Sequence, residues 1–337
     1  MSVAIVGPGM IGAAHARAWR AAGADVSYLV SRRADAALED APGARTVTDL
    51  GVVLADPSVD IVTICTPTPT HREFAVACLR AGKNVLLEKP IALTLDDAEA
   101  IVREADVADG VLMVAHVVRF FDQYRRVREV VESGAVGRPV LVRAERMIAP
   151  PSTPWWYDEG QSGGIVVDLG IHDIDQANLL LGEPLVVRST TIGRLGPASI
   201  VIEYEHALAQ LVVHARMPLH TPFATSLYVV GDGEPGDAGY DAVPPAESLG
   251  GVVAVRAAAG EHPLHRFTLR AADGTAVDGV EPETYDPYAT QAAHFLECVA
   301  SGSPSTIAPT EAAVTALRTA LAARDSLLAH GAWVRPG

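Results

Sequence analysis

A chain of 337 residues is long enough for two domains at roughly 100–200 residues each. Its composition, 49% apolar and 20% charged, excludes a disordered polypeptide. With 26 Lys+Arg against 41 Asp+Glu the net charge is −15, which disfavours nucleic acid and anionic membrane as partners. An anionic ligand therefore needs a local device such as backbone amides or a small basic cluster. Cys65, Cys78 and Cys298 provide neither a disulfide framework nor metal-ligand spacing. No apolar run reaches the roughly 18 residues that span a bilayer, and no basic leader precedes the first strand, so a cytoplasmic location is expected.

In chain order, short β-branched runs at 3–6, 26–30, 59–65, 84–87 and 111–115 read as strands. Helical stretches at 11–22, 70–81 and 94–105 lie between them. That alternation predicts an α/β doubly wound parallel sheet. After a helix at 123–132 the rhythm changes to successive strands at 139–147, 185–192, 199–205, 209–216, 226–230, 252–257 and 265–270. These predict a mainly antiparallel sheet, interrupted by a helix at 164–181 and closed by helices at 288–300 and 310–329. The Gly-, Pro- and acid-rich stretch 231–251 reads as an exposed loop.

The first strand runs into Gly7-Pro8-Gly9-Met10-Ile11-Gly12 and then a helix, the context in which G-x-G-x-x-G carries meaning. Gly7 permits the tight turn, Gly9 lets a pyrophosphate approach the backbone, and Gly12 lets helix and strand pack closely. The helix N-terminus then offers amides to the phosphate. Where an NAD binder usually places an acid, this chain has Ser31-Arg32-Arg33, which suits a 2′-phosphate and predicts NADP(H), with NAD as the alternative.

Ligands of an open parallel sheet bind beyond the carboxyl ends of its strands. There lie Thr66-Pro67-Thr68-Pro69-Thr70-His71, Glu88-Lys89-Pro90 and His116-Val117-Val118-Arg119. Lys89, between a buried strand and a proline, is expected to donate to a substrate hydroxyl; a structural pair with Glu88 is the alternative. Thr70 reads as a helix N-cap, and Thr66, Pro67 and Thr68 as lining a nicotinamide ribose. His71, inside the first helical turn, reads as structural before catalytic. On the helix after Ser162-Gly163-Gly164, Asp168 and His172 are i,i+4 neighbours on one face. A carboxylate beside an imidazole suits a base that takes a proton from an alcohol; a shared cation is the alternative. Trp155-Trp156-Tyr157 suggest a ring-stacking wall or a packing plug. Tyr285, Tyr288 and Gln291 are further candidates.

With these residues assembled, the chain resembles the Gfo/Idh/MocA family (glucose–fructose oxidoreductase, inositol dehydrogenase, rhizopine catabolism) over nearly its whole length. The likeness runs through 3–12, 66–71, Ala81-Gly82-Lys83-Asn84-Val85-Leu86-Leu87-Glu88-Lys89-Pro90, 116–120, 163–175 and 288–302. Glu-Lys-Pro with Gly-Gly…Asp-x-x-x-His is its specific part. The resemblance implies a Rossmann domain over 1–120 and an α+β domain over 121–337 with a large, mainly antiparallel open sheet. The C-terminal helix is able to pack back on the first domain, and a homodimer or homotetramer is expected. It implies oxidation or reduction of a secondary alcohol on a sugar, inositol or related polyol, with Lys89, Asp168 and His172 catalytic.

The cofactor contacts expected are Gly7, Gly9, Met10, Ile11, Gly12, Ser31, Arg32, Arg33, Thr66, Pro67, Thr68, His71, Glu88 and Lys89. Those expected for substrate are Lys89, His116, Arg119, Trp156, Asp168 and His172, with no metal. Two departures stand out: no acid follows the second strand, and Ser162 replaces the first glycine of the usual three, where it is expected to reshape the pocket floor. An NAD-dependent glycosidase with transient redox and a silent NADP-binding regulator are the alternative functions.

Overall fold

The computed structural model describes residues 1–219, 221, 223–232, 251–258, 264–271, 273, 275–282 and 286–337. Most of the expected loop at 231–251, and Tyr285, lie outside the described residues. The chain groups into two units, Met1–Phe120 with Asp286–Leu317, and Phe121–Tyr285 with Arg318–Gly337.

In the first unit, β1 (Ser2–Val6), β2 (Asp25–Val30), β3 (Arg45–Val47), β4 (Ile61–Ile64), β5 (Asn84–Glu88) and β6 (Leu112–Ala115) form a parallel sheet in the order β3-β2-β1-β4-β5-β6. The strand order reverses between β1 and β4, which places a ligand crevice at their carboxyl ends. Helices α1 (Met10–Ala21), α2 (Leu50–Leu54), α3 (His71–Arg80) and α4 (Leu95–Ala105) cross between strands. Residues of β4 and β6 are buried throughout, as expected of strands covered on both faces. Strand β3 was not among the expected elements, because three residues are too few to show a period.

The second unit holds β7 (Arg138–Met147), β8 (Val186–Thr191), β9 (Ala198–Glu203), β10 (Leu208–His214), β11 (Ala224–Asp232), β12 (Val252–Ala258), β13 (Leu264–Arg270) and β14 (Ala276–Pro282). Their order is β14-β13-β12-β11-β7-β10-β9-β8, antiparallel except where β7 runs parallel to β10. Strand β14 also escaped the sequence; Asp278, Gly279 and Pro282 are poor strand formers, tolerated at a sheet edge. Helices α5 (Asp122–Glu132), α6 (Glu159–Ser162) and α7 (Ile171–Leu181) follow the same numbering, α5 against β12 and α7 against β7.

Burial alternates along β10 and β9, so Ala209, Leu211, Val213, Ile200 and Ile202 face inward while Gln210, Ser199 and Glu203 face out. Arg146 on β7 reaches Asp173 on α7 through two bonds of 2.9 and 3.0 Å. Both are buried, so removing either partner leaves an uncompensated charge at a cost of about 3–5 kcal/mol. At the sheet's far edge, Val334 pairs with Val187 of β8 through two backbone bonds of 2.8 Å.

Helix α8 (Pro287–Ser301) belongs with the first unit: Ala292, Phe295 and Cys298 join Ile5, Trp19, Leu29, Leu86 and Met113 in one buried cluster. A cut of the chain at residue 120 alone therefore misses this return, which helix α9 (Thr310–Leu328) follows. Among the described residues, no helix is long and apolar enough to cross a membrane.

Candidate active site

The glycine turn follows from contacts that leave no room for side chains. Gly7 has φ +87°, and a Cβ there would meet the Cys65 carbonyl at 2.9 Å. At Gly12 a Cβ would lie 2.5 Å from the Gly7 oxygen, so the helix sits against its own turn. Gly9 differs: a Cβ there meets nothing within 4 Å, so the space beside it is open. Helix α1 starts at Met10 and Ile11 with no side-chain cap and no acid in its first turn, leaving its leading amides to an anion. The residues present fit a dinucleotide pyrophosphate.

At the end of β2 the Ser31 hydroxyl accepts from the Arg33 amide at 3.1 Å. The Arg33 guanidinium turns to Asp35, 3.2 and 3.3 Å away, so Ser31 and the exposed Arg32 remain the phosphate candidates. After β4, Thr66 and Pro67 are half-buried whereas Thr68 is buried. Thr70 stands at the N-cap of α3 but makes no side-chain cap; its hydroxyl donates to Thr66 Oγ1 and the Pro67 carbonyl.

His71 has a structural place. It is buried, with Nδ1 2.9 Å from the Pro90 oxygen and Nε2 3.0 Å from the Thr66 oxygen. It therefore clamps two loops together and touches no open space. Burial lowers its pKa from the ordinary 6.5, against the pull of those two carbonyls.

Glu88, expected at the cofactor, is committed elsewhere: its carboxylate lies 2.7 Å from His15 Nε2 and accepts from the Lys89 amide at 3.1 Å. Burial pushes this carboxyl up, but the bond to His15 and its charge outweigh that and hold it below the ordinary value. The edge of Tyr288 packs on His15 at 5.3 Å. Gln291 is buried within α8. The sequence carried a signal for His15, a polar residue one turn beyond Gly12, but none for its partner 73 residues away.

Along 85–92, Lys89 alone is half-buried while its neighbours are buried. Strand β5 thus presents this one side chain, and a cis peptide follows it to Pro90. His116 and Arg119 are both buried, and Arg119 donates to the Ile307 carbonyl at 2.8 Å. Residues after α8 thus hold the Arg119 side chain in place.

In the second unit a π-turn, Val166–Gly170, precedes α7. Such turns take more residues per revolution than the 3.6 of an α-helix, so residues four apart come closer to one radial direction. Burial records the result: from 165 to 177 only Asp168 and His172 are half-buried. Trp156 is buried and donates to Asp168 Oδ2 at 2.6 Å. Its ring is largely enclosed, as a packing plug is, yet it lines a small cavity with Tyr157, Gly164, Ile165 and Leu195; Tyr157, 40% exposed, is the more open ring. The Ser162 hydroxyl is buried, accepting from the Gly164 amide at 3.0 Å and donating to the Asp158 carbonyl at 3.2 Å. It ties off α6 rather than forming a pocket floor. Among the described residues no group of three or more His, Cys, Asp or Glu is arranged to hold a metal ion.

Residues 1–116 match the family model described as "Oxidoreductase family, NAD-binding Rossmann fold", and 124–233 match "GFO/IDH/MocA C-terminal domain". The chain is 30% identical to myo-inositol 2-dehydrogenase of Thermotoga maritima over 236 residues, 65% of this chain and 70% of that protein. It is 30% identical to scyllo-inositol 2-dehydrogenase (NADP(+)) of Bacillus subtilis over 183 residues, 54% of this chain and 51% of the relative. The match thus spans about half the length of the second relative. A solved structure of GenD2 from gentamicin A biosynthesis, in complex with NAD, superposes with a TM-score of 0.78 at 25% identity. That match covers 99% of this chain and 96% of the other.

Proposed function

Because the chain belongs to the Gfo/Idh/MocA oxidoreductase family, we propose that it interconverts a secondary alcohol and a ketone on a sugar, inositol or related polyol, with NADP(H) as the preferred dinucleotide. The observation that carries this proposal is selective exposure. Lys89 is the one half-buried side chain along 85–92, and Asp168 with His172 are the only two along 165–177. Chemistry-bearing residues are thus the ones left facing outward from otherwise sealed stretches.

A bound nicotinamide supplies or accepts the hydride at the reacting carbon. In the oxidative direction the His172 imidazole takes the hydroxyl proton as that carbon loses hydride, and it returns the proton in reduction. The Lys89 ammonium is the second polar donor proposed for substrate oxygen, suited to stabilising charge that develops there. Asp168 orients the imidazole. The leading amides of α1 hold the pyrophosphate, while Ser31 and Arg32 favour a 2′-phosphate. Support for the phosphate comes from the missing acid after β2 and from the relative whose name carries NADP(+). A homodimer or homotetramer working in the cytoplasm belongs to the same proposal.

A panel of polyols and keto-sugars, followed by nicotinamide absorbance with both dinucleotides, should find a substrate and show the preference. Lys89→Ala and His172→Ala should each lower kcat by about 10²–10⁴ while NADPH affinity stays nearly constant. Loss of NADPH binding in both variants, or turnover unchanged in either, would overturn the assignment.

A further inference from the structure

Building on the roles proposed for Asp168 and His172, we propose that Trp156 is the positioning residue of that pair: by holding Asp168 Oδ2, its indole N–H fixes the direction in which the carboxylate serves the imidazole. The bond is short, 2.6 Å, as expected for a donor facing an ionised oxygen. An indole has one N–H and no acceptor, so the contact is one-way and cannot reverse. With Oδ2 held by the ring, the rotation of the carboxylate is set for both of its oxygens.

Asp168 needs such an anchor. It sits within the π-turn Val166–Gly170, where the regular i→i−4 ladder of α7 has not begun. A carboxylate on two soft torsions is not directed by that backbone alone. Trp156, by contrast, is fixed. Its ring meets Tyr157 edge-on at 5.7 Å, and the Tyr157 hydroxyl donates to the Pro151 carbonyl at 2.7 Å. Its amide donates to the Thr153 carbonyl within the short turn Pro154–Tyr157. The segment between the two partners is tied as well, through the Ser162 hydroxyl bonds to Gly164 and Asp158. The loop ahead of the helix therefore works as a rigid bracket for one carboxylate oxygen.

Trp156→Phe in the full chain keeps the ring and removes the N–H. Turnover should fall about tenfold to a hundredfold with KM nearly constant, the span of one hydrogen bond to a charged group, and the acidic limb of the kcat–pH profile should move. In an Asp168→Ala background the same substitution should add nothing, because the two residues act as a unit. A readout without turnover separates this role from the oxidoreductase proposal. The pH titration of the His172 ring-proton NMR signal should move in Trp156→Phe as it does in Asp168→Ala. A titration that Trp156→Phe leaves in place, or a full further loss of kcat on the alanine background, overturns the positioning role. A displaced titration in a chain that turns over no polyol upholds that role and sinks the oxidoreductase proposal instead.

Discussion

Arg33 and Asp35 share a two-point surface pair just beyond Arg32, so the end of β2 offers a 2′-phosphate less charge than its two arginines suggest. Asp35→Asn should release Arg33 and modestly raise the preference for NADPH over NADH, measured as the ratio of kcat/KM values. Ser31→Asp should do the reverse by about tenfold or more, since a carboxylate there repels the phosphate dianion at close range. An unmoved ratio in Ser31→Asp would place the phosphate elsewhere. At this scale the sequence was legible where both partners lie on one element. Asp168 and His172 are four apart, and their shared exposure follows from that spacing. The His15–Glu88 and Trp156–Asp168 bonds were not legible, because they join separate segments and no periodicity reports on them.

At the scale of elements, the two glycines of the first turn have different duties that a pair of substitutions can separate. Gly12→Ala forces a methyl onto the Gly7 oxygen, so α1 must lift from β1; both Tm and dinucleotide affinity should fall. Gly9→Ala meets no protein atom, so Tm should hold while dinucleotide affinity drops. Thermal unfolding and fluorescence titration check both, and equal loss of Tm in the two would refute the distinction. Most elements were readable because hydrophobic period and glycine stops agree, as in β1 and α1. The π-turn was not, since one extra residue per turn leaves the apolar pattern of 164–181 looking like a continuous helix. Strands β3 and β14 failed for opposite reasons, one too short and the other too polar.

Across the whole molecule, two buried groups of the first unit contribute to the response to acid. Burial lowers the pKa of His71 from 6.5, and His15 holds Glu88 below its ordinary 4.5. In both cases the unfolded chain binds more protons just below those values, so stability is full above them and is lost as pH falls. Melting temperatures should decline below about pH 6.5 and again below about pH 4.5. Glu88→Gln should shrink the second decline and His71→Gln the first, with His294 and Asp56 supplying the remainder; a flat profile in the unaltered protein would contradict both. The change of rhythm near residue 120 was legible as a change from alternating to successive strands, but the return of α8 was not. The packing of Phe295 against Trp19 and of Tyr288 against His15 shows it.

The short pairing of Val334 with Val187 has a consequence for how copies of this protein behave in solution. A bare outer strand is a template on which a second polypeptide can extend the ladder, and here the last residues of the chain occupy part of that template. Trimming 334–337 would uncover it, and the shortened protein should scatter more light on storage than the intact one. Equal clarity in both samples would mean that the tail plays no guarding role.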